Sequence, residues 1–177
     1  YLTLGVPLGE MYMVGGHSGA GKSSFVFENM ILTMAEEGVN VAIISNEMRS
    51  QDYKIMLLAH ILTKELNYWK LTRKQLKMGH FNPEQMEMLK KAIIISQKKY
   101  SSIHFIKLFD NDVSKVLKYI NKLSKRGVQV FLWDTMKSDD SMDEKMFVQL
   151  LINPRRVFQA CSKNNVAVIT TYQLALY

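Results

Sequence analysis

The stretch Gly16-His17-Ser18-Gly19-Ala20-Gly21-Lys22-Ser23 decides how this chain is to be read. It matches without a gap the spacing of a glycine, four residues and then Gly-Lys-Ser/Thr, the signature of a phosphate-binding loop. A short apolar run of strand character, 11–15, precedes it, and 24–37 reads as a helix. Strand, loop and helix in that order is the context such a loop requires. Its glycines let successive backbone N–H groups turn inward, where they meet the positive end of the following helix dipole, so a polyphosphate is well accommodated. Lys22 is placed to reach the β and γ phosphates, and the Ser23 hydroxyl to coordinate a Mg²⁺ ion bridging those oxygens. The expected nucleotide contacts are therefore Gly16, His17, Ser18, Gly19, Ala20, Gly21, Lys22, Ser23 and Ser24, with His17 acting mainly through its backbone.

Working outward, the pattern alternates strands and helices. Gly38 is placed to cap the first helix, after which 39–45 is an apolar, β-branched run of the kind buried on both faces of a sheet. Apolar residues at helical spacing follow in 49–66 and again in a short segment, 71–78, ended by Gly79. Asn82-Pro83-Glu84 opens a helix expected to run to about Lys99, with Asn82 as cap and Pro83 in the first turn. A strand at 103–108, an amphipathic helix at 110–126 capped by Gly127, and a buried strand at 128–133 come next. Asp139, Asp140, Asp143 and Glu144 read as a polar, mobile loop. Pro154 is expected to interrupt any continuous helix, so Asn153 is assigned as a cap, Pro154 as the first helical residue, and the helix as running through Asn164. The last strand is expected at 166–171, followed by Tyr172 and Gln173. This alternation predicts an α/β fold with a mostly parallel central sheet and helices on both faces.

Ligands of such sheets bind beyond the carboxyl ends of the strands. The phosphate loop, Glu47, Asp134 and Gln173 are all expected just past a strand end. Asp134 has the setting of a carboxylate that holds Mg²⁺ opposite Ser23, directly or through water. Glu47 could align and polarise an attacking water. Gln173 could report the presence of a γ phosphate to the chain that follows it.

Composition sets the remaining limits. The 177 residues suffice for one compact domain, and 47% apolar with 22% charged residues is ordinary for a globular protein. No apolar run approaches the roughly 20 residues that span a bilayer, and no signal-peptide pattern opens the chain, so no membrane partner and a cytoplasmic location are expected. Cys161 is the one cysteine, and the four histidines show no ligand spacing. The net charge of +7 is unevenly spread: residues 49–126 hold 17 Lys/Arg against 6 Asp/Glu. That excess suits contact with phosphate backbones; the alternative is that Lys90, Lys91, Lys98 and Lys99 form the solvated face of a helix.

The order of motifs resembles the RecA-like ATPase domain of the DnaB-type replicative DNA helicases, including their phage and plasmid relatives. Leu8-Gly9-Glu10 leads into the first strand and the phosphate loop as in that family, and Ser45-Asn46-Glu47-Met48 is similar to its Ser-x-Glu-Met motif. Leu76-Lys77-Met78-Gly79 with Phe81-Asn82, Val130 to Asp134, and Thr171-Tyr172-Gln173-Leu174 resemble its later motifs, so the likeness covers nearly the whole chain. His17, Ser18, Thr135-Met136 and Tyr172 depart from its usual residues. The resemblance implies a RecA-like P-loop NTPase over 1–177 with Glu47 as catalytic carboxylate, ATP and Mg²⁺ as ligands, single-stranded DNA as partner and a hexameric ring. It further implies primase and helicase-loader contacts, and a bacterial or phage-infected cell. Its arginine finger lies beyond the Gln motif, whereas no Lys or Arg follows Lys163 here. With Tyr1 in place of an initiator Met, the chain reads as a fragment truncated at both ends, and hydrolysis by it alone is expected to be weak. Recombination ATPases of the RecA/RadA kind share this core, and a non-hydrolysing assembly scaffold is a further alternative.

Overall fold

The computed structural model describes residues 5–136 and 143–174, the side chains of 143–151 excepted. Five parallel strands form one sheet: β1 (Met11–Gly16), β2 (Val41–Ser45), β3 (Ile103–Lys107), β4 (Val130–Met136) and β5 (Ala167–Gln173), in the order β1-β5-β4-β2-β3. β2 and β4 are buried along their whole length, as their unbroken apolar character requires in a sheet covered on both faces.

The helices follow from the direction of the crossovers. From β1 to β2 to β3 the chain steps one way across the sheet, then back through β4 to β5. Right-handed crossovers in opposite directions place their helices on opposite faces. One face carries α1 (Lys22–Val26, a π-helical turn Phe27–Ile31, then Leu32–Glu36), α2 (Ser50–His60 with a π-helical turn Ile61–Glu65), the short α3 (Arg73–Met78) and α4 (Pro83–Lys99). The other carries α5 (Val113–Ser124) and α6 (Asp143–Asn164). Alternation along β2 divides the core between them: Val41 and Ile43 pack with Phe27, Ile31 and Leu62, whereas Ala42 and Ile44 pack with Val116, Ile120 and Val157.

Local chemistry sets the helix ends. Gly38 at φ +80° lets its own N–H reach the Ala35 carbonyl and that of Val39 reach Met34, closing α1 in the paired pattern of a left-handed cap. Gly127 ends α5 in the same way on Ser124 and Leu123. Asn82 caps α4 through the Gln85 N–H, with Gln85 returning the bond and Pro83 in the first turn.

Several expectations are corrected. β4 does not stop at Trp133, and β5 does not stop at Thr171, so Asp134 and Gln173 lie within strands, not beyond them. Pairing with a neighbouring strand extends each: Gly15 and Gly16 are in register with Tyr172 and Gln173. Asp143, Glu144 and the residues from Met146 onward belong to a continuous helix that contains Pro154 in its interior. A proline removes one N–H and crowds one carbonyl, which a helix of 22 residues packed along its length survives. The expected mobile loop otherwise falls on 139–142, outside the described residues. The methionines do not all fill the core: Met56 and Met136 are buried, while Met13, Met78 and Met86 are exposed.

Candidate nucleotide site

The loop after β1 is shaped by two glycines in the left-handed region, Gly19 at φ +74° and Gly21 at φ +76°. A side chain at either position would be strained even though nothing crowds it. Gly21 leads directly into α1, so the first N–H groups of that helix face the loop. The Lys22 ammonium folds back over the loop and donates to the carbonyls of Gly16 and His17, both at 2.7 Å. His17 accepts a further bond from the Ala20 N–H at 3.2 Å, so its part in the loop is carried by its backbone.

Asp134 is fully buried, and its charge is met by hydroxyls from four directions. Oδ1 accepts from Ser23 at 2.7 Å, Thr171 at 2.6 Å and Thr135 at 3.2 Å; Oδ2 accepts from Tyr53 at 2.5 Å. A buried carboxylate without such donors would be prohibitively costly. Burial, and then the negative charge and hydrogen bond of Asp134, push the Tyr53 phenol above its ordinary pKa, so it acts as a donor only.

The turn carrying Glu47 is built with equal care. The Ser45 hydroxyl accepts from the Met48 N–H at 2.9 Å, and Lys107 from the edge strand donates to the Asn46 carbonyl at 2.8 Å. Asn46 exchanges two bonds with the Thr135 backbone, donating to its carbonyl at 2.9 Å and accepting from its N–H at 2.7 Å. The Glu47 side chain is thereby presented, exposed, over the ends of β2 and β4.

These parts converge on a cleft of about 230 Å³ whose walls include Ser18, Gly19, Gly21, Lys22, Ser23, Ser24, Glu47 and Gln173. Met48 and Thr135 complete it. Of the residues expected from sequence, Gly16, His17 and Ala20 support the loop from behind, and Asp134 lies beneath Ser23 and does not line the cleft. Tyr53, Thr171, Thr135, Lys107 and the amide of Asn46 were not singled out. Two adjacent threonines in an otherwise apolar buried strand were a signal for Thr171; nothing marked Tyr53, which reads as a core residue of α2. Chemically, the cleft can hold an anion against the loop N–H groups and Lys22, with a carboxylate facing it across the gap.

A parallel sheet of this strand order, with a glycine-rich loop joining β1 to α1, defines an α/β domain of the RecA-like P-loop class. No protein-family model and no curated protein matches the chain. Among solved structures it is similar to a helicase ATPase domain, with a TM-score of 0.75 and 16% identity over 93% of this chain and 57% of that one. It is likewise similar to a DnaB-like replicative helicase described with its interactions with primase, at TM-score 0.75 and 16% identity over 97% of this chain. The chain spans 40% of that second helicase's length. The fold is thus that of the ATPase domains of DnaB-type helicases. Among the described residues, no helix is long and apolar enough to cross a membrane.

Proposed function

We propose that this chain is the ATPase motor domain of a replicative DNA helicase, hydrolysing ATP to move along single-stranded DNA. The observation that carries the reading is the single cleft that joins Lys22, Ser23, Glu47 and Gln173 above buried Asp134. In this reading the loop N–H groups and Lys22 grip the triphosphate, Lys22 leaving the neutral carbonyls of Gly16 and His17 for charged phosphate oxygens, which bond more strongly. Glu47 aligns water against the γ phosphate, and Gln173, at the end of β5, passes the change along that strand.

The residues fit a magnesium ion. Mg²⁺ keeps much of its water and phosphate coordination and asks the protein for one or two oxygens. Ser23 offers its hydroxyl oxygen, its proton being directed to Asp134 at 2.7 Å. Asp134, enclosed by four hydroxyls, acts through Ser23 or through water. The ion would neutralise charge developing on the phosphate oxygens.

The neighbouring subunit of a hexameric ring would supply an arginine to the same site, with primase and a loader as further partners. The test uses the full-length protein. Lys22→Ala loses ATP binding and turnover. Glu47→Gln retains binding but loses DNA-stimulated turnover by roughly 10²–10⁴-fold, the usual worth of a positioned base. A Glu47→Gln protein with normal turnover refutes the assignment.

A further inference from the structure

On the face of the sheet opposite α1, helices α5 and α6 run side by side, tied by the Asn164 amide to Asn121 at 2.8 Å and by Arg156 to Ser114 at 3.5 Å. Between them lies an open cleft of about 730 Å³ lined by Lys118, Lys122, Lys125, Arg126 and Arg156. The rest of its lining is Leu117 and two neutral polar side chains, and no carboxylate is among them. All five cations are exposed, and among the described residues none is drawn into an ion pair. The contrast with nearby lysines is direct: Lys115 on the same helix pairs with Asp110, Lys91 on α4 with Glu87, and Lys99 with Glu36 and Glu65. The α4 lysines are thus a solvated helix face, whereas the α5 row is an uncompensated field.

Its geometry selects a partner. Lys118, Lys122 and Lys125 recur on one helix face about 5–6 Å apart, comparable to the step between phosphates along a strand. A docked protein helix would need several apolar anchors, and Leu117 alone is present. No aromatic ring lines the cleft, so it provides no platform for stacked bases. We propose that the α5/α6 cleft binds the phosphodiester backbone of a nucleic acid without reading its bases, at a surface separate from the cleft at the strand ends. Charge and shape carry this inference, which stands whether or not the domain hydrolyses ATP.

The test measures anisotropy of a fluorescein-labelled single strand, and of the duplex of equal length, with the full-length protein without nucleotide. Salt is varied between about 50 and 200 mM, where backbone contacts lose most of their strength. Lys118→Gln/Lys122→Gln/Lys125→Gln is expected to flatten the plot of log affinity against log salt by roughly 2–3, from about 0.7–0.9 per phosphate contact, on at least one of the two nucleic acids. Basal ATP turnover and Lys22-dependent nucleotide binding stay unchanged, which separates this outcome from failure of the ATPase reading. Should the triple variant fold poorly, Arg126→Gln/Arg156→Gln serves with an expected flattening of roughly 1–2. Lys90→Gln/Lys91→Gln/Lys98→Gln removes equal charge from α4 and is expected to shift the slope by less than about 1. An unchanged slope in the α5 variants overturns the proposal. So does an equal effect from the α4 variant, or polyglutamate competing as well as DNA at equal charge.

Discussion

Replacing Tyr53 by Phe deletes one hydroxyl from the buried shell around Asp134 and leaves the ring in place. The ring is held independently, at 5.1 Å from Phe27 in an edge-on arrangement and 6.0 Å from Phe105, so no cavity opens. What is lost is a hydrogen bond to an ionised group, worth about 1.5–3 kcal/mol net. Asp134 keeps three donors, Ser23, Thr171 and Thr135, so the charge is not orphaned, and about 2 kcal/mol is the expected loss. For a domain of this size that lowers the thermal midpoint by roughly 4–8 °C. The pH dependence supplies a second readout. The folded-state pKa of Tyr53 is raised above its ordinary value of 10.0, first by burial and then by Asp134. Its stabilising share is therefore complete below pH 10 and is lost as pH climbs toward the folded value. The gap between wild type and Tyr53→Phe should close above that pH at about 1.4 kcal/mol per pH unit. Thermal and urea melts of Tyr53→Phe, Asp134→Asn and the double variant measure both effects, with an expected coupling of about 1–2 kcal/mol between the two sites. A Tyr53→Phe variant as stable as wild type at pH 7, or additivity in the cycle, would refute the idea that this hydroxyl solvates the buried carboxylate.

Asn46→Ala strips the partners from a buried stretch of the Thr135 backbone, so about 1–3 kcal/mol of stability is expected to go, and DNA-stimulated turnover to fall further than nucleotide affinity as Glu47 loses its footing. Equal losses in both functions would argue against that role. Burial alone would raise the Glu36 carboxyl, but hydrogen bonds from Tyr100 and Lys99 hold it below its ordinary 4.5. Its contribution is present above that pH and lost as pH falls through the depressed folded value. Tyr100→Phe should therefore lower the melting midpoint at pH 7, and the difference should shrink below about pH 4 as Glu36 is protonated in wild type. Gly38→Ala places a side chain at φ +80° with nothing nearby to relieve it, which a chemical melt should record as a loss of about 1–2 kcal/mol.

The parts legible in the sequence were those whose physics is local. Gly19, Gly21 and Lys22 belong to one continuous turn, and the spacing that makes it an anion cradle is written in consecutive residues. The same holds for Gly38, Gly127 and the Asn82-Pro83 start of α4, where one or two residues decide the backbone. Strand ends were less legible, because β4 and β5 are prolonged past Trp133 and Thr171 by pairing with neighbours. Pro154 misled for a related reason: its local penalty is real, but the helix on either side outweighs it. The π-helical turns at Phe27–Ile31 and Ile61–Glu65 left no mark in the apolar spacing at all.

By itself, then, the chain's order of residues determined an α/β layering and the place where an anion would sit, since both follow from periodicity and from contiguous turns. Only the tertiary structure decided that β5 inserts between β1 and β4, setting Thr171 against Asp134, and that α2 delivers Tyr53 to the same carboxylate. It alone brought Arg156 beside the lysines of α5. Bonds between residues 37 or 81 positions apart depend on which strands lie side by side, and no repeat or spacing within a single element carries that information.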